Sequence, residues 1–169
     1  MTEEQKMLAD SAVKLLDRTL AFIPRVDNRA QVLLGLDLGA VLTLALNVPS
    51  SKLLEWTAGV GAIAVAMFGV SLWHLYRCAF PQLIGGSNSL VYFREIARLR
   101  EAEFIERTMS RDIDAYIKDV LAQVWRNAQI TTAKFEALEQ AMRWFGLAIP
   151  VWLVSLVLFV AETNRLALK

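Results

Sequence analysis

The sequence predicts an all-α membrane protein with three transmembrane helices, an N-terminal amphipathic helix and a helical cytosolic segment. Three observations predict this fold. Residues 30–48, 56–76 and 144–161 are apolar, and each stretch is long enough to cross a hydrocarbon core of about 30 Å as a helix. Charged residues make up 21% of the 169 residues, and nearly all lie outside these stretches. An apolar stripe with helical spacing also runs from the polar part directly into the third stretch.

The composition excludes several classes of function. The chain carries 18 Lys and Arg against 17 Asp and Glu, so no excess of positive charge attracts nucleic acid. The single cysteine, Cys78, and the single histidine, His74, allow neither an internal disulfide nor a zinc cluster. No motif pairs a nucleophile with a base, so we predict no catalytic residue, no metal, no cofactor and no enzyme activity.

The N-terminal part, residues 1–24, is predicted to be a cytosolic amphipathic helix. Thr2 and Gln5 have the spacing of a capping box, and apolar residues then recur three and four positions apart as far as Ile23. Pro24 is expected to end this helix, because proline interrupts the helical hydrogen bonds. Asp27 is expected to cap the helix that follows.

Residues 30–78 are predicted to form a transmembrane helical hairpin, with spans at about 30–48 and 55–77. The short connection between them makes the two helices antiparallel neighbours. Residues 79–143 are then predicted to be a helical cytosolic region. It opens with a break at Pro81 and the run from Gly85 to Asn88, and helical spacing resumes at Ser89.

A second apolar stripe alternates steps of four and three residues, as in a coiled-coil seam, and reaches Trp144 with no glycine or proline between. It predicts one long helix that begins in the cytosol and ends as the third span, residues 144–162. Pro150 is expected to kink the membrane part, and residues 163–169 form a short tail. The stripe consists of Ile113, Ile117, Val120, Val124, Ala128, Thr131, Phe135, Leu138 and Met142.

Basic residues near the spans predict the orientation in the membrane. The side with more Lys and Arg is cytoplasmic, which places the N-terminus inside and the C-terminus outside. The basic residues on the predicted inner side are Arg18, Arg25, Arg29, Arg77, Lys134 and Arg143, and those on the outer side are Lys52, Arg165 and Lys169.

Asp37 is the most unusual residue of the spans, because a carboxylate near the bilayer centre costs about 2.5–3.5 kcal/mol on insertion scales. It stands between Gly35 and Gly39, a spacing that lets helices approach closely. One interpretation is a polar contact or pore-facing group in a homo-oligomer formed through Gly35, Asp37 and Gly39. The other is a protonated aspartate that is bonded within its own hairpin and is purely structural.

Two short motifs resemble a known family. The segment from Ser89 to Leu99, which reads Ser-Leu-Val-Tyr-Phe-Arg-Glu-Ile-Ala-Arg-Leu, looks like the Tyr-Phe-x-x-Ile-Ala segment of the Pycsar membrane effectors, small bacterial antiphage proteins. The segment Asp27-Asn28-Arg29-Ala30 is similar to the Asp-x-Lys-Ala entry into that family's first span, with Arg29 in place of lysine. The layout of spans also matches, so the resemblance covers nearly the whole chain.

The resemblance implies a function. Members of this family respond to cyclic CMP or cyclic UMP, made by a partner cyclase after phage infection, by impairing the inner membrane and stopping growth. A cyclic mononucleotide offers a phosphate, a ribose hydroxyl and a flat base, which call for arginine, polar groups and an aromatic surface. We therefore expect the ligand to contact Tyr92, Arg94 and Arg98, with Asn28 and Arg29 completing the site.

Structural interpretations of these residues stand beside this one. Phe93 fits the buried stripe of a helix, and Arg94 and Arg98 could simply pair with nearby glutamates. The alternative function is that of a constitutive membrane adaptor or assembly protein, whose cytosolic helices bind a protein partner. A nucleotide cyclase encoded next to the gene would favour the effector over the adaptor.

Overall fold

The computed structural model describes residues 2–49, 55–80, 86 and 88–167, with side chains up to Asn164. These residues form six helices and no strand: α1 (Glu3–Leu20), α2 (Phe22–Leu46), α3 (Glu55–Ala79), α4 (Phe93–Ile96), α5 (Glu101–Met109) and α6 (Ile113–Ala167). Three helical segments are long and apolar enough to cross a membrane, and they include α2, α3 and α6. The predicted fold class is therefore confirmed. The predicted turn at 50–54, most of the break at 81–88 and the last two tail residues lie outside the described residues.

The start of the chain has the predicted cap but a different end. The Thr2 hydroxyl accepts from the Gln5 N–H at 3.2 Å, and the Gln5 side chain accepts from the Thr2 N–H at 3.0 Å. However, α1 ends at Leu20, so the prediction that Pro24 ends it was wrong. Pro24 lies in the first turn of α2, where a helix makes no use of the missing N–H.

The chain folds into two compact units. Unit 1 comprises Met1–Arg25 and Pro81–Ala133, and unit 2 comprises Val26–Phe80 and Lys134–Lys169. Unit 2 contains most of α2, all of α3 and the second part of α6. Its apolar residues form three successive clusters, around Leu33 and Leu138, around Phe68 and Ala148, and around Leu44 and Phe159.

Gly61 allows α3 and α6 to approach closely within unit 2. A Cβ at this position would lie 2.8 Å from the end of the Phe159 ring, closer than real Cβ contacts. At Gly59, on the same helix, a Cβ would meet nothing within 4 Å. Gly61 is therefore a packing residue, whereas Gly59 is open to the surroundings.

The long helix α6 confirms the predicted continuity from residue 113 into the third span, and Pro150 lies within it. The predicted buried stripe is only partly correct. Val120 and Leu138 are buried, but Phe135 and Met142 are exposed. An α-helix drifts by about 20° per heptad relative to a strict repeat of 3.5 residues, so a stripe that steps by four and three leaves the buried face.

The region after Ser89 begins with two short helices, α4 and α5, joined through residues 97–100. Phe93, which was expected to be a buried stripe residue, is 65% exposed. Because α4 has only four residues, it offers too little surface to bury a ring, and Phe93 instead makes an edge contact with Tyr92.

Candidate functional site

The most connected polar site of unit 1 is centred on Asp119 of α6. Its carboxylate accepts from the Ser89 hydroxyl at 2.7 Å, from the Leu90 N–H at 2.9 Å and from Arg111 at 2.8 Å. Gln123, one turn further on, donates to the Ser89 hydroxyl at 3.2 Å. These bonds fix the segment that begins at Ser89 against the first half of α6, and we call this group the Asp119 clamp.

The Asp119 carboxylate is stabilised in its charged form. Burial by itself raises the pKa of Asp119, but the hydrogen bonds from Ser89, Arg111 and the Leu90 main chain outweigh it and hold the pKa below the ordinary value. The Arg111 and Asp119 side chains are only 18% and 9% exposed, so water screens this pair weakly. Charge-assisted bonds of this kind are the strong ones in proteins.

The Asp119 clamp holds the main chain of one predicted ligand residue of unit 1, Tyr92. The Ser89 hydroxyl also accepts from the Tyr92 N–H at 3.0 Å, so the main chain of Tyr92 is held in place. The Tyr92 hydroxyl is buried and has no hydrogen-bond partner among the described residues. Arg94 is exposed and unpaired within the same part of the chain. Arg98 pairs with Glu95, as the structural interpretation expects.

The other two predicted ligand residues, Asn28 and Arg29, belong to unit 2, where both are exposed on α2. Tyr92, Arg94 and Arg98 therefore share one unit, and Asn28 and Arg29 share the other.

A buried charge pair lies beside these residues in unit 2. Asp27 lies inside α2, so the prediction that it caps this helix was wrong. Its carboxylate instead accepts from the Lys134 ammonium of α6 at 2.6 Å. The Lys134 side chain is only 5% exposed, and that of Asp27 is 37% exposed. Asp27 thus compensates a lysine that packs among apolar residues.

Asp37 is fully buried within unit 2 and contacts α3. The Ser71 hydroxyl lies 2.7 Å from an Asp37 carboxyl oxygen and 3.1 Å from the Ala141 carbonyl of α6. The Ser71 hydroxyl has a single proton and faces two acceptors, Asp37 and the Ala141 carbonyl, so it donates fully to only one of them at a time. The second Asp37 oxygen has no partner among the described residues.

The structure places the three residues of the predicted oligomer contact on two different sides of α2. Asp37 faces the interior of unit 2, whereas Gly35 and Gly39 are exposed on another side of α2. A Cβ on either glycine would meet nothing within 4 Å. Residues two apart on a helix point about 200° apart, so Asp37 cannot share one surface with Gly35 and Gly39. Asp37 bonds within the hairpin, as the structural interpretation holds, and the glycine contact remains a prediction.

Comparison with known protein families agrees with the membrane fold. A family model described as the Pycsar effector protein domain matches residues 11–161. The chain belongs to the Pycsar effector family. No curated protein and no solved structure matches it significantly. The matched range contains both short motifs, all three spans and the Asp119 clamp.

Family membership gives this Pycsar effector a role in the cyclic-pyrimidine antiphage defence system. Its apolar helices make it a multi-pass membrane protein, with the lipid bilayer as one partner. The family is one of transmembrane effectors, and it implies a response to a cyclic pyrimidine from a cyclase.

Two polar contacts escaped the sequence analysis. Asp119 was not singled out at all, and Lys134 was used only to predict the orientation. A charged residue that stands three or four positions from buried apolar residues of the same helix indicates a buried charge, and Lys134 precedes Leu138 by four. The partner of such a residue lies far away in the sequence, so the contact itself could not be read from spacing.

Proposed function

We propose that this Pycsar effector responds to cyclic CMP or cyclic UMP by impairing the integrity of the inner membrane, so that the infected cell stops growing. The observation that carries this proposal is the family match over residues 11–161. The three apolar helices supply the part that acts on the bilayer. The chain acts by binding and conformational change, without a catalytic step or a cofactor.

The proposed ligand residues suit the chemistry of a cyclic mononucleotide. Arg94 is exposed and unpaired among the described residues, which leaves its guanidinium available to a phosphate. Arg98 reaches the phosphate by exchanging its bond to Glu95. The exposed Phe93 ring, packed against Tyr92, offers a flat surface for a base.

The long helix α6 couples binding to the membrane. It carries Asp119 in its first half and continues without interruption into the third span. A ligand that shifts the first half of α6 therefore moves the span with no hinge loop in between. The ligand can do this only if it binds the two arrangements with unequal affinity.

Protomers associate through the open face of α2 in this proposal. Gly35 and Gly39 are exposed and four residues apart, the small-xxx-small spacing of membrane helix contacts. Gly35→Leu with Gly39→Leu should reduce cross-linked oligomers in membranes. Gly69→Leu, at an equally open glycine of α3, is the matched control and should leave them unchanged. Equal cross-linking in both variants would exclude this contact.

Dye release from proteoliposomes tests the proposed function directly. Purified protein is reconstituted, and release is recorded after addition of cyclic CMP, cyclic UMP or, as controls, cyclic AMP and cyclic GMP. We expect release with at least one cyclic pyrimidine and none with the purines. Protein that inserts and folds but neither binds nor releases dye with either pyrimidine contradicts the proposal and favours the adaptor.

A cellular experiment separates the two candidate functions further. Cells that carry the protein with its cyclase are infected with phage, and membrane potential, growth and plaque number are followed. Arg94→Ala should abolish depolarisation and protection together. Arg107→Ala removes an arginine that pairs with Glu103 on α5, and as a control it should preserve both.

A further inference from the structure

Arg126 of α6 is a half-buried cation without an anion. Its guanidinium carries five N–H donors, and none of them meets an acceptor among the described residues. Its nitrogens are not fully buried, so water reaches the guanidinium, and no hydrogen bond among the described residues ties it to the unliganded fold. The other partly buried arginine of this unit, Arg111, is paired with Asp119.

The main chain of Gly86 covers one side of this guanidinium. A Cβ on Gly86 would lie 1.8 Å from one terminal nitrogen of Arg126 and 2.5 Å from its central carbon. Any other residue at position 86 would displace the arginine. Gly86 is buried, and the guanidinium of Arg126 occupies the space that a side chain at position 86 would need.

The Asp119 clamp holds both sides of this contact in place. Asp119, Gln123 and Arg126 follow each other on α6 at steps of four and three, so they share one face. The first two bind Ser89, three residues after Gly86. Asn88 has a φ of 61° and makes the turn between them, and asparagine tolerates this left-handed conformation.

Asp119 does not neutralise Arg126, because its oxygens are occupied by Ser89, Leu90 and Arg111. Within the part of this unit that the structure describes, the buried hydroxyl of Tyr92 also has no hydrogen-bond partner. Unit 1 therefore holds on α6 a cation that is unpaired among the described residues, and its neighbour Gly86 lies three residues before a segment that is fixed from Ser89 to Tyr92.

We propose that Arg126 is a binding residue for a phosphodiester monoanion, and specifically for the phosphate of the cyclic pyrimidine. This inference rests on the proposed function and adds to it a residue outside the two family-like motifs. A planar guanidinium donates two parallel N–H bonds to a phosphate, which fits a cyclic phosphodiester with its two free oxygens. Because Arg126 lies on α6, ligand binding acts on the helix that continues as the third span.

Calorimetry on the full chain in phospholipid-free detergent tests the inference. Cyclic CMP and cyclic UMP are titrated into wild type, Arg126→Gln, Gly86→Ala and the control Arg107→Gln. Loss of a charge-assisted hydrogen bond predicts about 10- to 100-fold weaker binding for Arg126→Gln. Gly86→Ala should weaken binding as well, since it displaces the guanidinium, and Arg107→Gln should bind like wild type.

Thermal unfolding without ligand distinguishes a ligand residue from a structural one. Arg126→Gln should not lower the unfolding midpoint, because the guanidinium makes no hydrogen bond or ion pair among the described residues. A lowered midpoint, or failure to fold, would show that Arg126 stabilises the unliganded protein and would overturn the inference.

The remaining outcomes separate this inference from the proposed function. Wild type that binds neither cyclic pyrimidine contradicts the proposed function. Wild-type binding with an unchanged affinity for Arg126→Gln overturns only the Arg126 assignment. A phospholipid headgroup is also a phosphodiester, so short-chain phosphatidylglycerol is titrated in parallel. Arg126-dependent binding of this lipid alone would assign the site to lipid and refute the nucleotide assignment.

Discussion

The buried pair of Asp27 and Lys134 allows a quantitative prediction. Removing the partner of a buried charge costs about 3–5 kcal/mol in proteins, whereas an exposed pair contributes about 0–1 kcal/mol. Lys134 is 5% exposed and Asp27 is 37% exposed, so the ammonium is buried while water reaches the carboxylate. We therefore expect Asp27→Ala to lower the free energy of unfolding by about 2–3 kcal/mol, between the two limits.

The chain offers an internal control for this prediction. Arg143 and Glu139 form a pair on α6 with side chains 64% and 59% exposed. Glu139→Ala should cost less than about 0.5 kcal/mol, as expected for an exposed pair on one helix. Each substitution removes the carboxylate partner of a lysine or arginine, so the difference between their losses in free energy of unfolding measures the effect of burial.

A double-mutant cycle in detergent micelles measures the pair itself. Lys134→Met keeps the apolar stem and removes the charge, so the combination with Asp27→Ala should recover most of the loss. The expected coupling energy is about 2 kcal/mol. If Asp27→Ala costs no more than Glu139→Ala, or if Lys134→Met gives no recovery, the reasoning from buried charge is refuted.

Three further predictions concern the packing, the buried carboxyl and the pH dependence. Gly61→Val should clearly lower the melting temperature in detergent, because the new side chain would overlap the Phe159 ring. Gly59→Val should not lower it, and equal effects of the two substitutions would refute the packing argument. Asp37→Asn should change the free energy of unfolding by no more than about 0.5 kcal/mol, because its amide can still form a hydrogen bond with Ser71. Asp37→Leu should lower the free energy of unfolding, measured by chemical denaturation, by about 0.6–1.7 kcal/mol. Because the folded pKa of Asp119 is lowered, its contribution to stability is present above the unfolded value near 3.8 and is lost as the pH falls through the folded pKa. Stability measured from pH 6 to pH 3 should therefore fall less in Asp119→Asn than in wild type, and parallel curves would contradict this.

The fold could be predicted because its main features are local. A capping box such as Thr2 with Gln5 requires only four residues, and a membrane span requires only a long apolar run. The uninterrupted stripe from residue 113 to Trp144 was enough to predict α6. Pro24 was misread, because the same residue ends one helix and is accepted in the first turn of the next.

The polar contacts could not be predicted, because they join residues far apart in the chain. Asp27 and Lys134 are separated by 107 positions, and Ser89 and Asp119 by 30. Spacing along one helix shows which residues share a face but not what that face meets. Arg126 illustrates the same limit, since its distinguishing property is that it lacks a partner among the described residues, which only three-dimensional contacts reveal.

The polar contacts of unit 2 also constrain how the membrane is impaired. Asp37 bonds to Ser71, Lys134 to Asp27, and Glu162 accepts from Thr57 at 2.6 Å. A water-filled path lined by these groups requires that they exchange partners inside the protomer for water or for another copy. Exchanging the Asp37 and Glu162 bonds costs about 1 kcal/mol each and exchanging the Lys134 pair about 2 kcal/mol, while every tenfold preference of the ligand for the active arrangement supplies about 1.4 kcal/mol. A ligand that prefers the active arrangement by about a thousandfold therefore suffices to open all three contacts, whereas a ligand without such a preference leaves the protein inactive however tightly it binds.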